Sequence, residues 1–119
     1  MKHGDKIKIK GLKLESRVGV PDEERAKAQK LLVNVTIHPA RSLQGLADDI
    51  EQTIDYDKVA REIRRVAGEG SRRLIETLAE DIAGVVLGFE GVAEVGVEVR
   101  KFILPDTEYV AVTVRGGRL

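Results

Sequence analysis

In "KIKIK", residues 6–10, Ile7 and Ile9 alternate with lysines, so both isoleucines face one side of an extended strand. "LKLES", residues 12–16, continues with Leu12 and Leu14 on the opposite parity. The change of phase falls at Gly11, which predicts a bulge or bend there. "KLLVNVTIHP", residues 30–39, is a second strand with Leu31, Val33, Val35 and Ile37 on one face and Pro39 as its end. Two further strands are predicted near 92–101 and 108–115.

Between the strand pairs the period lengthens. "DYDKVAREIRRVAGEG", residues 55–70, places Val59, Ala60, Ile63, Val66 and Ala67 at helical spacing. Asp55 is the expected N-cap, and Gly68 and Gly70 are stop signals. A second helix is expected from about Ser71, with Leu74, Leu78, Ala79, Ile82 and Val86 as its apolar stripe and Gly88 near its end. Residues 18–29 read as a polar connection, and residues 40–55 as an irregular, acidic one.

The order is ββααββ in one domain spanning residues 1–119. It predicts an α+β fold, a four-stranded, largely antiparallel sheet with two helices on one face. The outer strands of such a sheet are open to pairing. Closure of several copies into a barrel would remove those edges, so a homo-oligomer is expected.

Composition narrows the chemistry. The chain has 119 residues and no cysteine, which excludes thiolate metal sites, disulfides and cysteine nucleophiles. Its two histidines, His3 and His38, lie far apart with no partner ligand nearby in sequence, which argues against a metal site or a Ser-His-Asp triad. Twenty basic residues balance twenty acidic ones, so no nucleic-acid partner is expected. No apolar run reaches the roughly 20 residues of a membrane span, and no signal-peptide core is seen at the N-terminus. A cytoplasmic protein with no membrane partner is expected.

One residue breaks the pattern. In "VEVRK", residues 97–101, Val97 and Val99 share a face with Val95, and the same period carries Lys101 onto that face. A lysine at a strand end can lay its methylenes on apolar surface and push its charge into water. The other reading is a partly desolvated amine that opens into a pocket and moves protons.

The segments "VGVPDEERAKAQ", "QTIDYDKV", "LIETLAEDIA" and "VEVRK" stand in the order and spacing of one family. From Ile7 to Val114 the chain resembles the dihydroneopterin aldolases and the related dihydroneopterin triphosphate epimerases. The resemblance implies the tunnelling fold, in which four ββααββ subunits build a barrel, two rings stack into an octamer, and active sites lie between subunits. It implies a small-molecule pterin substrate, no cofactor and no metal. The match assigns Lys101 to proton transfer and Tyr56 to catalysis and substrate contact. Glu76 would anchor the pterin, with Ile75 beside it. Thr53 and Ile54 would line the pocket, and Glu24 would reach the substrate from the neighbouring subunit.

The residue types suit that chemistry. A pterin presents a ring N–H and an amino group side by side, and one carboxylate accepts from both. Glu76 falls in the first turn of a helix, where the dipole favours an anion, although an ordinary first-turn glutamate would look the same. Glu24 is one of three acids in "DEE", and only its spacing to Gly19 and Gln29 selects it over Asp22 and Glu23. Tyr56 could equally be a helix-start tyrosine showing its hydroxyl to water.

Two features depart from the family pattern. Val18 stands where many aldolases have a histidine, and "FILPDTEYV" after Lys101 is closer to the epimerase branch. A triphosphate substrate would call for cations at the pocket mouth, with Arg72, Arg73 and Arg100 as candidates. The activity expected is dihydroneopterin aldolase, with the 2'-epimerase and a non-catalytic pterin-binding module as alternatives.

Overall fold

The computed structural model describes residues 3–117. Its strands are β1 (Ile7–Ser16), β2 (Gln29–Pro39), β3 (Val92–Lys101) and β4 (Val110–Gly117). They form one antiparallel sheet in the order β1-β2-β3-β4. Between β1 and β2 lies a one-turn helix, α1 (Asp22–Arg25). Between β2 and β3 lie a 3₁₀ turn (Ile50–Gln52) and the two long helices, α2 (Tyr56–Gly68) and α3 (Ile75–Leu87). Among the described residues no helix is long and apolar enough to cross a membrane.

Period two decides which face is covered. Leu31, Val33, Val35 and Ile37 of β2 and Val95, Val97 and Val99 of β3 are all buried. They sit opposite one another in register, Val33 beside Val99 and Val35 beside Val97. The helices supply the other half of the core. Val59, Ile63 and Ala67 recur every fourth residue on α2, which lies over β1. Ile75, Leu78, Ala79, Ile82, Ala83 and Val86 of α3 lie over β3 and β4. Burying each large side chain contributes about 1.5–3 kcal/mol, so these rows hold the layers together.

The phase change in β1 is a bulge. Ile9 pairs with Val35 and Leu12 with Val33, so three steps along β1 match two along β2. The shift returns Leu12 to the covered side that Ile7 and Ile9 face. Gly11 takes φ +72°, which a side chain disfavours. Its N–H donates to Oδ1 of Asn34 at 2.7 Å, which ties the bulge to the neighbouring strand.

The start of α3 differs from the sequence expectation. The helix begins at Ile75, not near Ser71. Arg72 spends its backbone on the tail of β1. Its N–H donates to Arg17 O at 2.9 Å, and its carbonyl accepts from Gly19 N at 3.0 Å. A residue bridged in this way is extended and cannot open a helix. Leu74 is therefore half exposed at the N-cap, and Ile75 takes the buried position. Val18, read as part of a polar connection, is fully buried beside this bridge.

Asp55 caps α2 as expected, its carboxylate accepting from the N–H groups of Asp57 and Lys58. Asp55→Ala is expected to lower stability by about 0.5–2 kcal/mol, read as a lower urea midpoint at unchanged slope. A neutral result would mean that α2 is held by its packed face alone.

Candidate active site

Lys101 ends β3 beside Leu31 of β2. The valine row beneath it is fully buried, and its own side chain is only 12% exposed. A single ammonium group there needs a counter-charge. Glu24 provides it from α1, with Oε2 at 2.7 Å from Lys101 Nζ.

The Glu24 carboxylate is itself held in place. Gln29 opens β2 and donates from Nε2 to Glu24 Oε2 at 3.2 Å and to the Val18 carbonyl at 2.7 Å. Glu24 also packs directly on Gly19. A Cβ added to Gly19 would lie 2.3 Å from the Glu24 carboxyl carbon. Arg25 closes the loop by donating to the carbonyls of Gly19 and Val20 at 2.9 and 2.7 Å. The Lys101 ammonium, and after it the Gln29 amide, holds the Glu24 carboxyl below its ordinary value of 4.5. The result is a fixed donor–acceptor pair, one ammonium and one carboxylate in hydrogen-bond contact.

The residues before α3 belong to the same end, because Arg72 is bonded to the Val18–Gly19 segment. Ile75 is buried there, and Glu76 is exposed in the first turn of α3. The first N–H groups of a helix lack intrahelical partners, so an anion at that position sits in a favourable field. Among the described residues Glu76 makes no hydrogen bond or ion pair through its side chain, so its carboxylate is free to accept one.

Thr53, Ile54 and Tyr56 lie elsewhere. Thr53 and Ile54 line an open cleft of about 490 Å³ with Pro39, Gly91, Arg41 and Lys58. Pro39 pairs with Val92 at the far end of the two strands that end at Leu31 and Lys101. At about 3.3 Å per residue, the nine steps from Val92 to Lys101 span about 30 Å. Tyr56 opens α2 and is 61% exposed. Thr53 and Ile54 thus lie at the opposite end of the sheet from Lys101 and Glu24.

Three expectations change. Glu24 belongs with the Lys101 of its own chain, because α1 folds back onto the strand ends; it is not the neighbour's contribution to that lysine. Arg100 faces away from Lys101, as adjacent strand residues must. It donates to Glu98 at 2.9 Å and stacks 4.3 Å over the Tyr109 ring. Arg72 is occupied by Asp81 at 2.7 Å and by helix carbonyls. Of the three arginines considered for a phosphate, only Arg73 is free of a partner among the described residues. Gln29 and Gly19, used in the sequence only as spacing marks, are what position Glu24; no periodicity marks either residue.

Comparison with known proteins points to one family. The family model described as FolB, dihydroneopterin aldolase, matches residues 7–115. A dihydroneopterin aldolase of Streptomyces coelicolor is 36% identical over 118 residues, which cover 97% of this chain and 99% of that protein. A dihydroneopterin triphosphate 2'-epimerase of Pseudomonas aeruginosa is 31% identical, covering 95% and 93%. The solved structure of Escherichia coli dihydroneopterin aldolase in complex with neopterin shares the fold with a TM-score of 0.87 at 23% identity, covering 95% of this chain and 99% of that one.

The Glu24–Lys101 pair predicts a pH effect. The Glu24 pKa is depressed in the fold, so its stabilising contribution is present above the ordinary value of 4.5 and is lost as pH falls through the folded value. Lys101→Met should move the Glu24 carboxyl titration, followed by carbon-13 NMR, back up toward that value. Gly19→Ala should do the same, since its methyl drives Glu24 off the lysine. An unmoved Glu24 in both variants would show that the pair does not form.

Proposed function

The chain belongs to the dihydroneopterin aldolase family, and we propose that it cleaves 7,8-dihydroneopterin at sites built from two copies of the chain. The observation that carries this reading is the Lys101–Glu24 pair, held at one end of the sheet while Thr53, Ile54 and Tyr56 stand at the other. A site using both groups needs the Lys101 end of one subunit against the Tyr56 end of the next. The open edges, β1 and β4, run antiparallel to each other, so β4 of one copy continues onto β1 of another without breaking the alternation of the sheet. A ring of copies closes both edges, and the tunnelling-fold octamer is the assembly proposed.

Glu76 accepts the ring N–H and amino group of the pterin, and Ile75, with Thr53 and Ile54 of the second copy, lines the pocket. The substrate already contains the electron sink. Its C=N bond includes the ring carbon that bears the trihydroxypropyl side chain. Loss of the proton from the side chain's second hydroxyl turns the carbon bearing that hydroxyl into an aldehyde, as its bond to the first side-chain carbon breaks. The electron pair passes into the C=N bond and forms an enamine, which takes a proton at the first side-chain carbon. The products are glycolaldehyde and 6-hydroxymethyl-7,8-dihydropterin, and atoms and charge balance with no metal or cofactor. The protein's task is to take one proton from oxygen and return one to carbon. An ionised Glu24 against the Lys101 ammonium provides an acceptor and a donor in contact, and the Tyr56 phenol of the second copy adds a hydroxyl beside the side chain.

The epimerase relative supports a second outcome of the same site. If glycolaldehyde turns over and adds back before it leaves, the hydroxyl-bearing carbon inverts. Incubation with 7,8-dihydroneopterin and with its triphosphate, followed by chiral separation and aldehyde detection, separates the two. Cleavage of the unphosphorylated substrate is expected, with epimerisation as a competing or even main activity.

Lys101→Ala should reduce kcat about 10²–10⁴-fold while pterin binding changes little. Glu76→Ala should do the opposite and weaken binding, each lost hydrogen bond to the charged group being worth about 1.5–3 kcal/mol. Light scattering is expected to show an octamer. A monomer at micromolar concentration, or wild-type turnover by Lys101→Ala, would remove the basis of the reading.

A further inference from the structure

Arg72 lies outside the pocket, and its guanidinium contacts no site residue. Its side chain is nonetheless only 12% exposed, and each of its three nitrogens has a partner. Nε donates to Asp81 of α3 at 2.7 Å. One terminal nitrogen donates to the Glu69 carbonyl at 3.3 Å and the other to the Val66 carbonyl at 3.2 Å, both at the C-terminal end of α2. The planar fork of an arginine reaches a carboxylate and two carbonyls from three separate nitrogens held in one plane, whereas a lysine offers its three donors from a single point. Position 72 is thereby locked between the two helices. Its backbone then acts as one half of a two-way bridge, donating to Arg17 O and accepting from Gly19 N.

Two chains of contact lead from that bridge to the reacting end. Through Gly19 it sets the surface on which the Glu24 carboxyl rests, and Glu24 holds Lys101. Through Arg73 and Leu74 it sets where α3 begins, and Glu76 stands in the first turn. We infer that Arg72 is a positioning residue that fixes the pterin anchor and the proton-transfer pair relative to each other, by clamping the Val18–Gly19 segment to the helix pair. The inference rests on Lys101 and Glu76 belonging to the site proposed above. It also gives a role to an arginine whose charge is spent inside the subunit and cannot meet a phosphate.

The test uses the full-length chain with Arg72→Met, Arg72→Lys and Asp81→Asn, assayed well below their melting temperatures with folding checked by circular dichroism. A displacement of about 1 Å can cost up to about 10²-fold in rate, so Arg72→Met is expected to lose about 10–100-fold in kcat/KM. Arg72→Lys should recover part of that loss, because it keeps a cation for Asp81. A second readout does not depend on turnover. Lys101, paired and nearly buried, should acylate slowly with an amine-directed anhydride, and by mass spectrometry Arg72→Met should speed labelling at Lys101 several-fold while the other lysines are unchanged. A folded Arg72→Met protein with wild-type kcat, KM and Lys101 labelling, whatever its melting temperature, overturns the inference. If Arg72→Met does not fold, Asp81→Asn decides: a smaller change in the same direction supports the role, and wild-type values overturn it. Absence of turnover in the wild-type protein would count against the proposed reaction alone, and the labelling comparison would still judge Arg72.

Discussion

An ammonium group at the end of a row of buried valines is the constraint to which one end of this molecule answers. A buried or half-buried charge is costly unless it is paired and hydrogen-bonded. The chain meets that demand with a carboxylate from α1, and then must hold the carboxylate. Gln29, Gly19 and the backbone of Val18 do so, each in contact with the next. An exposed ion pair of the same kind, such as Arg61 with Asp57 on α2, contributes well under 1 kcal/mol. The Lys101 pair differs because its partners cannot swing away. Its value lies in fixed geometry more than in stability.

The same economy of placement separates Lys101 and Glu24 from Thr53 and Ile54 within one subunit. A strand that carries Lys101 at one end carries Val92 at the other, and the helix connections return the chain to both ends. Groups separated by the length of a strand cannot meet by any local motion of a packed sheet. In the assembly proposed above, another copy brings its opposite end alongside. The unpaired edges of β1 and β4 provide the physical reason for copies to associate, because each presents backbone donors and acceptors that a second strand can satisfy.

Strain is kept where it shapes a surface. Gly11 adopts a left-handed conformation so that β1 can change phase and keep both its isoleucines and its leucines on the covered side. Gly45, Ala47 and Asp48 are also left-handed, close together in the connection that leads to the Thr53–Ile54 cleft. Arg41 donates to the Gly45 carbonyl at 3.2 Å and also bonds Gln52, while Asp5 accepts from Ser42 and Leu43. Those contacts offset the cost of two non-glycine residues at positive φ, about 1–2 kcal/mol each, and make the wall of the cleft a defined shape.

Much of the architecture is legible in the order of residues alone. Alternation in β2 and β3, the phase change at Gly11, the Asp55 cap and the placing of Lys101 on the valine face all follow from periodicity, and periodicity is a local property of backbone geometry. The four family motifs likewise mark Lys101, Glu24, Glu76 and Tyr56 one by one. Local rules fail where a residue's backbone is used by a distant segment. Helix signals within a window place the start of α3 too early, because they cannot register that Arg72 gives its N–H and carbonyl to residues more than fifty positions earlier. Val18 reads as loop for the same reason. Which chain presents Glu24 to Lys101, which arginines remain free, and which site residues stand together are matters of distance in space. Only the packed sheet, with its strand length and its two helices, decides them.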